Sequence, residues 1–300
     1  MPADLRPRRS ALFVPGASAR ALEKARTIAA DVLILDLEDS VAPDRKNTAR
    51  DAVAAVVTEL TTGRREIVVR INGLDTPWIA RDIAAMASAR PDAILVPKLS
   101  RTDDVRRTRA ALAAAHAPKS MKLWAMIETP AAVLNASAMA AIAAMPAPAV
   151  TCYVIGINDL AAELGATVRR GRAAMLPHLA QAVVTARAHG LAVLDGTFND
   201  LGDLEAFAEE CRQGRDLGMD GKTVIHPSQV PVANAAFGPS REELVWARRV
   251  IEAFAKQENA GEGVITVDGQ MVERLHERTA RRTLELADAI RAMGSETEDA

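Results

Sequence analysis

The stretch VLILDLEDSVAPDRKNTARDAVAAVVTEL, residues 32–60, contains one complete β-then-α unit. Its first six residues form a short apolar run bounded by charge, which reads as a buried strand. Pro43–Asp44 then open a segment, 44–60, whose apolar residues recur at helical spacing. Similar short runs occur at 11–14, 66–71, 93–97, 122–127, 149–155, 191–195 and 221–225, so eight strands are expected. Helical segments with start signals fill the intervals: 19–29 behind Ser18, 77–89 behind Thr76, 103–115 behind Thr102, and 131–144 behind Thr129–Pro130. Eight such units predict an α/β fold, a (β/α)8 TIM barrel over residues 1–238, with a doubly wound sheet as the alternative. A C-terminal helical extension, 239–300, is expected as part of the same domain unit. Its helices are placed at 240–258 and 270–293, and it would serve as a lid or an oligomer contact.

Composition narrows the function. A formal net charge of −2 with one Tyr, five Phe and three Trp excludes a basic, aromatic nucleic-acid surface. Cys152 and Cys211 form neither a CxxC pair nor a zinc spacing and read as buried, reduced thiols. The apolar run Ala11–Val14 is too short for a signal sequence, and no run approaches the roughly 18 apolar residues of a membrane span. A soluble, cytoplasmic protein is expected. No GxSxG elbow or HExxH motif occurs, which removes serine hydrolases and zinc proteases.

In a parallel barrel the active site forms at the carboxyl ends of the strands. Here those ends carry Glu38 and Asp39, Arg70, Lys98, Glu128, Asn158 and Asp159, Asp195, and His226. Acidic groups facing a few cations suit a hard metal ion and an anionic substrate. Mg²⁺ takes one or two protein carboxylates and keeps waters, which fits Glu128 and Asp159. Arg70 would clamp a carboxylate or a developing oxyanion with its planar fork. The competing reading is a structural Arg70–Glu128 ion pair. His226, beside Pro227, fits a conformational role as well as a catalytic one.

Seven motifs in order carry a resemblance. They are Arg9-Ser-Ala-Leu-Phe-Val-Pro-Gly16, Asp36-Leu-Glu-Asp-Ser-Val-Ala-Pro43, Val69-Arg-Ile-Asn-Gly73 and Ile127-Glu-Thr-Pro130, then Gly156-Ile-Asn-Asp-Leu160, Asp195-Gly196 and Gly221-Lys-Thr-Val-Ile-His-Pro227. Together, over residues 8–292, they resemble the citrate lyase beta subunit family of the HpcH/HpaI aldolases, relatives of malyl-CoA and citramalyl-CoA lyases. The resemblance implies a (β/α)8 barrel in a homo-oligomer, a trimer or hexamer. It implies Mg²⁺ on Glu128 and Asp159, and Arg70 on the 2-oxo acid. Substrate contacts would come from Arg9, Pro15, Gly16, Glu38, Asp39, Lys98 and Asp195, with the Arg9–Gly16 segment near the CoA moiety. It further implies a carboxylate reaching a neighbouring subunit's site from Asp268-Gly-Gln-Met-Val-Glu273; relatives carry Asp where this chain has Glu273.

The expected activity is a Mg²⁺-dependent carbon–carbon lyase. It would join or split acetyl-CoA and a 2-oxo acid through a 3-hydroxyacyl-CoA (malyl-, citramalyl- or citryl-thioester). The alternatives are a malyl-CoA thioesterase, a CoA-independent 2-oxo acid aldolase, and a non-catalytic subunit of a larger lyase complex.

Overall fold

The computed structural model describes residues 6–61, 63, 65–143, 150–259 and 261–294. They fall into two compact units, one spanning Arg8–Phe237 and the other running from Gly238 onward. In the first unit eight parallel strands close into a barrel: β1 (Ser10–Pro15), β2 (Val32–Asp36), β3 (Glu66–Arg70), β4 (Ala93–Val96), β5 (Lys122–Ile127), β6 (Val150–Ile155), β7 (Ala192–Asp195) and β8 (Gly221–Val224). β1 pairs with both β2 and β8, which closes the ring and rules out the doubly wound alternative. The expected strands coincide with these within about two residues; the outer limits expected at 144 and 149 lie outside the described residues.

Around the barrel run α1 (Ala19–Ala25), α2 (Lys46–Leu60), α3 (Ile79–Ala89), α4 (Thr102–Ala114), α5 (Pro130–Ala143), α6 (Ile157–Leu164), α7 (Leu176–Ala188), α8 (Leu204–Asp216) and α9 (Gln229–Phe237). Their starts obey local chemistry. The Ser18 and Asp203 side chains accept hydrogen bonds from the N–H groups of Ala21 and Ala206, satisfying donors that the helix leaves unpaired. No helix among the described residues is long and apolar enough to cross a membrane.

Alternation along each strand sorts side chains into two cores. Leu33, Leu35, Ile67, Val69, Ile94 and Val193 face the helices. Ala11, Val32, Ile34, Val68, Leu95, Trp124, Met126, Val154 and Leu194 fill the barrel. At the amino end, Arg8 closes that interior with a bidentate bond to Glu66 (2.6 and 2.9 Å), its guanidinium 5.3 Å from the Trp124 ring.

The second unit departs from expectation. α10 (Arg241–Ala255) opens with a capping box on Ser240 and Glu243, and α11 spans Arg274–Gly294. Residues 270–273, expected to start a helix, instead form β10 (Gln270–Glu273), antiparallel to β9 (Val264–Val267). Asp268 and Gly269, both at positive φ (48° and 78°), make the two-residue turn. An Asp-Gly pair between alternating apolar residues is a strong hairpin signal. Val250, Phe254, Ile265, Val267, Val272 and Ala280 form this unit's own core.

Candidate active site at the carboxyl-end mouth

The inward phase of the strands continues to the carboxyl ends, where it delivers Pro15, Asp36, Arg70, Glu128 and Gly156 instead of aliphatic residues. A cavity of about 400 Å³ opens there, lined by Phe13, Pro15, Asp36, Asp39, Arg70, Met126, Gly156, Asn158, Asp159, Asn199 and their neighbours.

Arg70 is the centre. Asp36 grips its Nε and Nη2 at 2.7 and 2.8 Å, and its guanidinium lies 4.8 Å from the Phe13 ring. Glu38 Oε2 lies 2.9 Å from Nη1, without the alignment of a hydrogen bond, and Asp39 accepts from Nη1 at 3.3 Å. Burial pushes the Asp36 carboxyl up, but the charge and hydrogen bonds of Arg70 outweigh it and hold the group below its ordinary value. Glu38 goes the other way. Burial, then Asp39, Glu128 and Asp36, outweigh Arg70 and push it up to about 8.

Glu128 follows β5 and is almost fully buried. Its Oε1 accepts the Lys98 N–H at 2.6 Å, a bond made possible by a left-handed backbone at Lys98 (φ 55°). Burial pushes its carboxyl up to about 7; the Lys98 bond opposes this and Asp159 adds to it. Asp159, in the first turn of α6, lies 3.7 Å from Lys98 Nζ. Gly156 makes this packing possible, because a Cβ there would sit 2.3 Å from Glu128 Cβ and 2.6 Å from its Oε2.

Among the described residues no group of three or more His, Cys, Asp or Glu side chains is arranged to hold a metal. The donor set still fits Mg²⁺, which needs only one or two carboxylates and completes its shell with water and substrate oxygens. The proton held by Glu128 so far above the ordinary value marks a carboxylate that a cation would stabilise.

Not every expected site residue arrives at the mouth. Arg9 sits at the amino end, where its backbone N–H and side chain bond Asp31 at 2.8 Å; it directly precedes β1, at the end of the strand opposite the pocket. Asp195 is fully buried and faces the helices, one residue out of phase with inward Leu194. It accepts from Arg172 Nη1 (2.7 and 2.9 Å) and Lys222 Nζ (2.9 Å), and Lys222 also reaches Glu210. Gly16 packs behind the mouth, its N–H on the Asp36 carbonyl. His226 Nδ1 takes the Ser228 N–H and meets its hydroxyl, an arrangement that shapes the turn after β8. Glu273 lies in the second unit, half-buried, its backbone N–H on His276 Nδ1. Several lining residues were given no role in the sequence reading, among them Asp36, Asn199 and Met126. The first sits in phase with Ile34 and was legible; Asn199 lies in a loop with no periodicity to betray it.

A closed parallel barrel whose mouth holds an arginine ringed by Asp36, Glu38 and Asp39, with the carboxyls of Glu38 and Glu128 pushed up to about 8 and 7, defines a barrel-mouth site suited to an anionic substrate. The chain belongs to the HpcH/HpaI aldolase/citrate lyase family, whose model matches residues 9–227. It is 47% identical over 286 residues to a (3S)-malyl-CoA thioesterase of Cereibacter sphaeroides, covering 95% of this chain and 96% of that protein. It is 34% identical over 311 residues to an L-malyl-CoA/beta-methylmalyl-CoA lyase of Cereibacter sphaeroides, covering 96% of each. Among solved structures it resembles the protein CitE from Mycobacterium tuberculosis in complex with magnesium, acetoacetate and coenzyme A. The TM-score is 0.75 at 33% identity, over 93% of this chain and 97% of that one.

Proposed function

We propose that this chain hydrolyses a malyl-type CoA thioester to the free hydroxy diacid and CoA, which reverses the order expected from the motifs alone. The geometric observation that supports an acyl-CoA of a hydroxy diacid is the Arg70 cluster: Asp36 holds the Nε–Nη2 edge and fixes the guanidinium, which lines the cavity and leaves Nη1, beside Glu38 and Asp39, to meet a carboxylate or oxyanion. The 47% likeness to a malyl-CoA thioesterase, against 34% to a lyase, favours hydrolysis over carbon–carbon cleavage.

The reaction adds the oxygen of water to the thioester carbonyl carbon and breaks the carbon–sulfur bond; one water proton goes to a base, and the thiolate leaves and takes up a proton. Arg70 orients the substrate's carboxylate and counters charge that develops on oxygen. Glu38, its carboxyl pushed up to about 8, would exchange a proton from behind the Arg70 guanidinium, beside the pocket. Glu128 and Asp159 would hold Mg²⁺, which when bound polarises substrate oxygens as a Lewis acid. Pro15, Glu38, Asp39 and Lys98 shape the acyl end. A second groove shares Phe13, Pro15 and Ile225 with the cavity and carries Arg20 and Lys24, cations suited to the phosphates of CoA. Glu273, delivered from a neighbouring subunit of a trimer or hexamer, supplies a further acid/base; the family resemblance supports that role.

The second reading, cleavage to acetyl-CoA and glyoxylate, is favoured by the 34% likeness to a malyl-CoA lyase. One assay tests both. Purified protein receives malyl-CoA with and without Mg²⁺, and products are read by mass. Malate with CoA supports hydrolysis, acetyl-CoA with glyoxylate replaces it by cleavage, and intact malyl-CoA sinks both.

A further inference from the structure

Lys46 begins α2 and is buried, although lysine is among the residues least often found inside. Among the described residues no carboxylate is paired with it at salt-bridge distance. Its Nζ instead donates to two consecutive backbone carbonyls, Leu37 at 2.8 Å and Glu38 at 2.7 Å, and lies 5.2 Å from the Trp78 ring. Those carbonyls belong to the loop leaving β2. The same loop gives its N–H groups to a fixed anion: Asp36 accepts from Glu38 N at 2.9 Å and Ser40 N at 3.1 Å while holding Arg70. The loop is thus clamped between opposite charges, carbonyls on an ammonium and N–H groups on a carboxylate. What it presents are the Glu38 and Asp39 side chains on Arg70 Nη1.

One turn further along α2, Arg50 does the equivalent for the neighbouring loop. Its Nε bonds Asp82 at 2.6 Å, and Asp82 in turn accepts Asn72 N and Nδ2 at 3.0 and 2.6 Å, just past Arg70. The two buried cations lie on one helical face, so α2 is a rigid base for both loops that flank Arg70.

We infer that Lys46 is a positioning residue of the active site: through the Leu37 and Glu38 carbonyls it sets where the Glu38 and Asp39 carboxylates stand around Arg70. The inference rests on the proposed thioester chemistry for its kinetic consequence but not for its geometry. Burying an ammonium is costly, and a helix start that serves only packing needs no donor set between the Leu37 and Glu38 carbonyls.

Lys46→Met keeps length and removes the donors. Hydrogen exchange should then quicken at least 10-fold at the amides of residues 38–40 and stay unchanged in the barrel strands. Turnover of the thioester should fall at least 10-fold, with KM within threefold and Mg²⁺ affinity within twofold of wild type. Lys46→Gln, which retains two donors without charge, should recover most of the turnover. Unchanged exchange and turnover in Lys46→Met overturn the inference. So does exchange that rises equally in α2 and the strands, the mark of a merely structural residue. If Lys46→Met fails to fold, Lys46→Arg keeps the charge but cannot set one nitrogen between two carbonyls, and the same criteria apply to it. A wild type inert on malyl-CoA sinks the proposed function, while the exchange measurement still decides the role of Lys46.

Discussion

Replacing Gly156 by alanine isolates one contact on which the proposed metal site depends. The backbone there is at negative φ (φ −93°, ψ 76°), so alanine meets none of the left-handed penalty that glycine escapes. Space decides the outcome. The new methyl would lie 2.3 Å from Glu128 Cβ, a carbon fixed to the chain and unable to rotate away. Carbon pairs settle near ~3.5–4.0 Å, so the end of β5 and the start of α6 must part by more than about 1 Å. Overpacking of that kind costs about 1–3 kcal/mol. The larger effect falls on Mg²⁺, whose ligands must stand at about 2.1 Å in near-ideal octahedral geometry. A ligand displaced by about half that distance is lost. Misplaced supporting groups lower metal affinity by roughly 10–100-fold, and a displaced ligand belongs at the upper end of that range. Calorimetric titration of Mg²⁺ into Gly156→Ala, with thermal unfolding in parallel, reads both effects. Wild-type Mg²⁺ affinity in a protein of wild-type stability would refute Glu128 as the metal ligand.

Four further outcomes are expected. Arg70→Lys keeps the charge but loses the fork, and turnover should drop roughly 100-fold or more; near-normal turnover would leave Arg70 a structural role only. Asp195→Asn strips the buried partner of Arg172 and Lys222 and should cost about 3–5 kcal/mol in denaturant titration with KM unaltered; a raised KM at unchanged stability would restore Asp195 to substrate binding. Glu38 and Glu128 hold protons up to about 8 and 7 in the folded chain, against an ordinary value of 4.5. The stability they contribute is complete below about pH 4.5 and lost as pH climbs through those values, so Tm in EDTA should fall between about pH 5 and 8.5, and a flat or rising profile contradicts it. Finally, subunits bearing Glu273→Gln mixed with subunits bearing Glu128→Gln, each inactive alone, should regain activity; verified exchange without recovery ends the role of Glu273 in a neighbouring site.

Much of the barrel was legible because each strand is an apolar run between turn signals and each helix carries its own start signal. Arg70, Glu128 and Asp159 stood out as charges at the ends of such runs. Parity carries information beyond position. Counting by twos from Trp124 through Met126 reaches Glu128, whereas Leu194 is followed by Asp195 on the opposite face. That count separates pocket from helix interface without coordinates, and it excludes Asp195. Arg9 misled because a motif groups residues that a strand then holds apart: β1 runs from just after Arg9 at the amino end to Pro15 at the mouth. The partners of Asp195 were illegible for another reason. Arg172 reaches it from a loop 23 residues away through a left-handed turn at Gly171 and Arg172 (φ 81° and 51°), and the motif of charges around it reads as a solvated surface. The β9–β10 hairpin was legible in Asp268-Gly269 and was obscured by the long helix that follows.

The bond between Arg8 and Glu66 has a kinetic corollary. With the barrel sealed beneath Trp124 at its amino end, the Arg70 site is reached from the carboxyl-end mouth. Under the proposed hydrolysis, a thioester entering acyl end first would leave its nucleotide half outermost, above the Arg70 floor. After the carbon–sulfur bond breaks, the acid would lie beneath the departing thiol. Release would then be ordered, thiol before acid. The acid, as the last to go, would compete with incoming thioester for the empty protein, while CoA would inhibit without competing.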